Sequence, residues 1–164
     1  MAAINLAGKQ MAQYKPGHQA LRQGRASIRN QIYLVTSTTR KRKPLFSEWQ
    51  FAHTACRCFE DPKLLKDATM LSWVLMPDHA HWLIQLGKQL ELSELVMRIK
   101  SATAREINHT NTIKEPVWDR GFHDRALRQD EDIPAAARYI VANPLRAGLV
   151  GKIGNYSFWN AVWL

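Results

Sequence analysis

Apolar and polar residues follow one another along the chain in patterns that predict several strands. The segment 31–38 (QIYLVTST) is rich in Tyr, Val and Thr, which favour strands. Two apolar runs, 70–76 and 79–86, flank the turn-forming pair Pro77-Asp78. We therefore predict one strand near residue 31 and a β-hairpin that turns at this pair.

Apolar residues at helical spacing predict three helices, over 46–59, 92–109 and 130–143. Ser93 is expected to cap the second helix, and Pro144 is expected to stop the third. The positions predicted to face the core are Phe46, Trp49, Phe51, Ala52 and Ala55 in the first helix and Leu92, Leu95, Val96, Ile99, Ala102 and Ile107 in the second.

A tight hairpin favours an antiparallel sheet, and the helices are then expected on one side of it, which is an α+β architecture. With 164 residues, 46% of them apolar, the chain fits one such domain. We expect a basic arm over 1–30, the main domain over 31–150, and an aromatic tail over 151–164 that packs on the domain. Residues 117–127 fit either a strand or a structured loop.

The net charge of +9 is concentrated in the first quarter of the chain. Nine Lys and Arg residues occur up to Lys43, before the first acidic residue, Glu48, and the later 14 basic residues balance 14 acidic ones. A cationic segment on a neutral body suits a polyanion such as nucleic acid, and a solubilising tail is the alternative. No apolar run approaches the ~20 residues that span a membrane, and residues 1–13 lack a signal-peptide pattern. We therefore expect a cytoplasmic protein, associated with the nucleoid, and no membrane partner.

Two histidines, His79 and His81, directly follow the predicted hairpin turn. Side chains two apart on a strand point to the same face, so the two imidazoles are expected side by side. Neutral imidazole is a common ligand of divalent metals. A metal site is therefore one interpretation, and two half-buried histidines on a sheet are the other.

Tyr139 and Asn143 lie four residues apart in the third predicted helix, and therefore on one face of it. Free tyrosine, with a pKa of about 10, is a poor nucleophile at neutral pH. A cation beside a phosphodiester polarises the P–O bond and absorbs developing charge. Tyr139 near a metal ion held by His79 and His81 could therefore attack a phosphodiester.

The basic residues of the first quarter are the main candidates for contacts with nucleic acid. Arg pairs with phosphate or with the guanine edge through two hydrogen bonds, and Gly permits a close approach of the backbone. The predicted DNA-binding residues are Arg22, Gly24, Arg25, Ser27, Arg40, Lys41, Arg42 and Lys43, together with Lys100.

Four segments resemble, in order, motifs of the HUH single-tyrosine transposases. Residues 75–84 (LMPDHAHWLI) resemble their MPNHxHxLI segment, and residues 139–150 (YIVANPLRAGLV) resemble YIxxNPxRAGLV. Between them, residues 117–124 (VWDRGFHD) are similar to WxxGFxD. Residues 21–27 (LRQGRAS) resemble the GRxS arm of one branch, the REP-associated tyrosine transposases.

This resemblance implies a ferredoxin-like, RRM-like palm with a central antiparallel sheet and helices mainly on one face. It implies Tyr139 as the nucleophile that forms a 5′-phosphotyrosine, and His79, His81 and Asn143 as ligands of Mg²⁺ or Mn²⁺. Insertion-sequence transposases usually carry Gln where Asn143 stands, so a bridging water could replace direct ligation here. The implied substrate is single-stranded DNA at palindromic REP hairpins, cleaved and rejoined in transposition, and we expect a monomer rather than a dimer.

Other functions share parts of these patterns. A hairpin-binding or single-stranded DNA-binding protein without catalysis would carry the same basic residues, and it is the alternative function. A zinc site on His53, Cys56 and Cys58 is a further possibility, although its spacing lacks a second cysteine pair. A serine or cysteine hydrolase fits less well, because the chain has no G-x-S-x-G motif.

Overall fold

The computed structural model describes residues 27–110 and 114–163, and its centre is a five-stranded sheet. The strands are β1 (Ile32–Thr38), β2 (Thr69–Met76), β3 (His79–Gln85), β4 (His123–Ala126) and β5 (Trp159–Ala161). Their order across the sheet is β4-β1-β3-β2-β5, and each neighbouring pair is antiparallel. The predicted α+β class and the predicted hairpin of β2 and β3 are confirmed.

The helices are α1 (Trp49–Phe59), α2 (Pro62–Leu65), α3 (Leu92–Thr110), α4 (Ile133–Val141) and α5 (Asn143–Arg146). Short 3₁₀ turns lie at Arg40–Arg42, Leu45–Ser47 and Ile153–Asn155. The third predicted helix is divided in two, because the helical backbone is interrupted at Ala142. Pro144 lies in the first turn of α5. The prediction that it stops a helix is therefore wrong; its missing N–H is tolerated where a helix begins.

The two faces of the sheet are covered by different helices. On β2, Trp73 and Leu75 belong to the cluster that contains the buried residues of α1 and α3. Val74 and Met76 alternate with them and pack in a second cluster with α4. The two longest helices thus share one face, and α4 lies on the other.

Trp49 is not in the core, although the other four inward positions predicted for the first helix are buried. Its side chain is 64% exposed, and its ring stacks on His53 with the centroids 4.8 Å apart. Helical side chains lean toward the N-terminus, so the first residue of α1 reaches beyond the helix end rather than onto the sheet. The sequence prediction for this residue is wrong.

The cap of α3 comes from a distant part of the chain. The helix begins at Leu92, one residue before the predicted cap Ser93, and the Leu92 N–H donates to Ser27 Oγ at 3.0 Å. The predicted cap is therefore wrong, because a hydroxyl brought in by the fold satisfies the free backbone donor.

Residues 117–127, which the sequence left open, and the C-terminal segment both join the sheet. Within residues 117–127, Trp118 makes a single bridge to Thr39, and the chain then forms edge strand β4. The C-terminal segment adds β5 to the other edge, and Tyr156 Oη donates to the Leu75 carbonyl at 2.6 Å. In the part of the chain that the structure describes, no helix combines the length and apolarity needed to cross a membrane.

Candidate functional site

His79 and His81 lie next to each other on β3, and the structure brings the two imidazoles together. Their ring centroids are 4.9 Å apart and their planes are perpendicular. Both share a strand face with Leu83, which packs in the α4 cluster. The histidine pair therefore lies on the same side of the sheet as the helix that carries Tyr139.

Each imidazole is held at its Nδ1 atom by a neighbouring oxygen. Thr36 Oγ1, on β1, lies 2.8 Å from Nδ1 of His81, and Asp78 Oδ1 lies 2.6 Å from Nδ1 of His79. A carboxylate can only accept, so His79 Nδ1–H donates to Asp78 and leaves the lone pair on Nε2. The Thr36 hydroxyl can either accept from His81 Nδ1–H or donate to a bare Nδ1. In the Nδ1–H tautomer of His81, its Nε2 also keeps the lone pair that binds a metal ion.

The surroundings of His81 strongly affect the pKa of its ring. Burial lowers the pKa of His81 from 6.5 to about 4, and the neighbouring His79, Arg146 and Arg42 act in the same direction. A metal ion binds the neutral imidazole. His81 therefore remains in its ligand form at neutral pH.

Asp78 links the histidine pair to the basic turn at residues 40–43. Burial raises the pKa of Asp78, but the hydrogen bond from His79 and the nearby Arg42 outweigh it and hold this pKa below its usual value. The guanidinium of Arg42 lies 3.3 Å from Asp78 Oδ2. Asp78 is thus an ionised partner for His79.

The basic turn lies at the same end of the sheet as His79. The Thr39 N–H donates to the Asp78 carbonyl and the Phe46 N–H to the Pro77 carbonyl, both at 2.9 Å. Lys41 has a φ of 55° and is exposed. The other three cations form ion pairs, Arg40 with Asp119 at 3.2 Å, Arg42 with Asp78 at 3.3 Å and Lys43 with Glu115 at 2.6 Å. Only part of the positive charge of this turn is therefore available to a polyanion.

Tyr139 lies on α4, and 63% of its surface is exposed. Its neighbours Ile140 and Val141 pack in the cluster on the face that carries the histidine pair. The guanidinium carbon of Arg146 lies 4.0 Å from the centroid of the phenol ring. Because Arg146 also lowers the pKa of His81, the phenol and the His81 ring both experience this cation.

Asn143 is held within the segment that follows Tyr139. Its Nδ2 donates to the Ile140 carbonyl at 2.7 Å, and its Oδ1 accepts a hydrogen bond from Arg146 Nη2 at 2.8 Å. The oxygen that a metal ion would use is therefore engaged by a cation. The structure brings Tyr139 and Asn143 together through Arg146.

Lys100 is buried, and backbone carbonyls hold its ammonium group. Its side chain is buried in α3, and Nζ donates to the carbonyls of Asp119 and Gly121, the latter at 2.8 Å. A buried ammonium in these contacts cannot reach a phosphate without breaking them. We therefore remove Lys100 from the DNA-binding set.

Of the four DNA-binding residues predicted before β1, the structure describes Ser27. The hydroxyl oxygen of Ser27 accepts the hydrogen bond that caps α3, so it has a structural role. Arg22, Gly24 and Arg25 lie outside the described residues.

The alternative zinc site receives no support from the geometry. Burial raises the pKa of Cys56 to about 12, and it also raises the pKa of Cys58, so both thiols are neutral at pH 7 in the metal-free protein. His53 stacks on Trp49. Over residues 27–110 and 114–163, no three His, Cys, Asp or Glu side chains group to hold a metal ion. A metal ion on the histidine pair would therefore need further oxygen ligands from an amide, water or phosphate.

Three residues of this site were missed in the sequence. Asp78 precedes His79 directly, so its role had a local signal, and Arg146 follows Asn143 by one helical turn. Thr36 had no such signal, because only the pairing of β1 with β3 places it opposite His81.

Comparisons with known proteins agree with this architecture. A curated relative, the REP-associated tyrosine transposase of Escherichia coli K12, is 27% identical over 89 residues, which are 53% of this chain and 50% of the relative. The chain thus spans about half the length of the curated relative it matches.

Two solved structures share the fold. One is a REP-associated tyrosine transposase bound to a REP hairpin, with a TM-score of 0.63 and 21% identity over 91% of this chain and 82% of that one. The other is a putative transposase from Deinococcus radiodurans R1, with a TM-score of 0.53 and 17% identity over 74% of this chain and 96% of that one.

The match to a family model includes both the histidine pair and Tyr139. The model of the family "Transposase IS200 like" matches residues 27–143, a span that begins before β1 and includes the histidine pair and Tyr139. With most of the chain matched, and with the fold shared, this protein belongs to the IS200-like transposase family.

Proposed function

We propose that this protein is a metal-dependent, single-tyrosine DNA endonuclease that cleaves and rejoins single-stranded DNA at hairpins. The observation that carries the proposal is the arrangement of His79 and His81 with both Nδ1 atoms tied to oxygens, on the sheet face that α4 and Tyr139 flank. Membership of a transposase family supports the same reaction class.

The donor atoms fit a divalent cation. The Nε2 atoms of His79 and His81 would hold Mg²⁺ or Mn²⁺, with Asn143 contributing its oxygen directly or through water. A bound cation would polarise the scissile phosphate and stabilise its developing charge. Asp78 and Thr36 would keep the two rings in the tautomer that this binding requires.

Tyr139 would supply the nucleophile. The phenol oxygen forms a bond to phosphorus, the bond from phosphorus to the 3′ oxygen breaks, and the phenol proton is balanced by the new 3′-hydroxyl. The product is a 5′-phosphotyrosine, which a 3′-hydroxyl can attack to rejoin the strand. The 63% exposure of Tyr139 leaves it accessible to a polymer substrate.

The proposed substrate is a DNA hairpin with a single-stranded flank. One structure with the same fold is bound to a REP hairpin. The charge of +9, concentrated before Glu48, favours binding to a phosphate backbone. Lys41 and the exposed parts of Arg40 and Arg42 would contact phosphates near the histidine pair.

The test is covalent capture. The full chain is incubated with a labelled REP-type hairpin carrying a single-stranded flank, with Mn²⁺ or with chelator, and the adduct is located by peptide mass spectrometry. We expect a metal-dependent adduct on Tyr139 that Tyr139→Phe abolishes without loss of hairpin binding. Tyr156→Phe is the matched control, because its hydroxyl is tied to the Leu75 carbonyl.

A DNA-binding protein without catalysis is the second candidate, and one observation favours it. The Asn143 oxygen is already bonded to Arg146, so the metal site would lack a third protein ligand. Tight hairpin binding by the wild type, with no adduct under any metal condition, would establish this function and end the nuclease proposal.

A further inference from the structure

Arg146 contacts both the proposed nucleophile, Tyr139, and the proposed metal ligand Asn143. Its guanidinium carbon lies 4.0 Å from the Tyr139 ring centroid, and its Nη2 donates to Asn143 Oδ1 at 2.8 Å. Asn143 is fixed in turn by its hydrogen bond to the Ile140 carbonyl. One exposed side chain therefore contacts both the phenol ring and the amide oxygen.

The charge of Arg146 also acts on His81, where it lowers the pKa of the ring as burial and His79 do. A fixed cation near a metal site weakens the binding of a second cation, because like charges repel. Its hydrogen bond to Asn143 also engages an oxygen that the metal ion would use.

We infer that Arg146 is a phosphate-binding residue of this site, and that its transfer from Asn143 to a DNA phosphate frees the Asn143 oxygen for the metal ion. The planar fork of guanidinium donors matches an anionic phosphate better than one neutral amide oxygen. Its contact with Tyr139 would bring that phosphate beside the phenol. The inference rests on the proposed nuclease function.

Three variants separate this role from a structural one. Arg146→Gln removes the charge and the fork, whereas Arg146→Lys keeps the charge without the fork. Arg138→Gln is the matched control, because Arg138 is an exposed cation of α4 whose guanidinium lies 3.9 Å from Asp132. Thermal unfolding of each variant checks that the fold is retained.

Two measurements give opposite expectations for Arg146→Gln. The single-turnover rate of adduct formation on hairpin DNA should fall about 100-fold or more, as for loss of a charge-stabilising donor. The affinity of the DNA-free protein for Mn²⁺ alone, measured by calorimetry, should rise about threefold or more, because a repelling cation is gone. Arg146→Lys should slow the adduct while leaving Mn²⁺ affinity near that of the wild type, and Arg138→Gln should change neither.

A wild-type adduct rate in Arg146→Gln overturns the inference. Weaker Mn²⁺ binding in that variant also overturns it, because a structural residue would lower rate and affinity together. If the wild type forms no adduct, the proposed function fails, and the Mn²⁺ affinities still decide whether Arg146 competes with the metal ion. If neither the wild type nor Arg146→Gln binds Mn²⁺, the inference is contradicted. If Arg146→Gln does not fold, the adduct rate of Arg146→Lys tests the inference instead.

Discussion

The Oγ1 atom of Thr36 and the Nδ1 atom of His81 lie 2.8 Å apart, across the pairing of β1 with β3. The two residues are direct partners in the register, so the sheet itself brings the hydroxyl to the imidazole. This contact orients the ring, and in the Nδ1–H tautomer it leaves Nε2 as the nitrogen for a metal ion. Loss of the hydroxyl should therefore weaken the metal site without changing its ligands.

Thr36→Val keeps the shape of the side chain and removes its hydrogen bond. We expect the affinity for Mn²⁺, measured by calorimetry, to fall about 10-fold or more, as is typical when the partner of a ligating histidine is lost. Thr38→Val is the control, because Thr38 lies on the same strand face and donates to Asp119 instead, at 3.3 Å. Equal losses in the two variants would contradict a specific role for Thr36.

The depressed pKa of His81 predicts that acid destabilises the fold. Between the unfolded value of 6.5 and the folded value of about 4, the unfolded chain binds a proton that the folded protein does not. The free energy of unfolding of the metal-free protein should therefore fall, by about 1–3 kcal/mol, as the pH falls through this window. His79, Arg146 and Arg42 face the ring and reinforce the burial effect.

Urea denaturation at several pH values between 4 and 7, in the presence of chelator, measures this slope. His81→Gln cannot take up the proton, so its free energy of unfolding should depend less on pH. Parallel curves for the wild type and His81→Gln would show that another group titrates in this window.

Lys100→Met should destabilise the protein by about 1–3 kcal/mol, because the carbonyls of Asp119 and Gly121 lose their buried donor. Urea denaturation measures the loss, and exposed Lys63→Met should stay within about 0.5 kcal/mol of the wild type. The salt dependence of hairpin binding should not change in Lys100→Met. A shallower salt slope would mean that Lys100 contacts phosphate after all.

Two aromatic residues at opposite ends of α1 should differ sharply in their contribution to stability. Phe59 is fully buried against Trp73 and Trp82, so Phe59→Ala should cost about 3–5 kcal/mol. Trp49 is 64% exposed, so Trp49→Ala should cost less than about 1 kcal/mol. Similar losses of unfolding free energy for the two variants in urea denaturation would show that Trp49 is a core residue, as the sequence pattern predicts.

Local periodicity determined much of this protein from its sequence. The hairpin of β2 and β3, helix α3 with its buried stripe, and the shared face of His79 and His81 all follow from spacings of two, three and four residues. These features depend on neighbours in the chain, and side-chain geometry within one strand or helix is the same in every fold.

Tertiary structure decided what depends on partners far apart in the chain. The register of β1 on β3 places Thr36 opposite His81. The first N–H of α3 is capped by the Ser27 hydroxyl, and the Lys100 ammonium donates to the carbonyl of Asp119, 19 residues further along the chain. No spacing encodes such pairs, because each is set by how whole elements pack and which buried polar groups need partners.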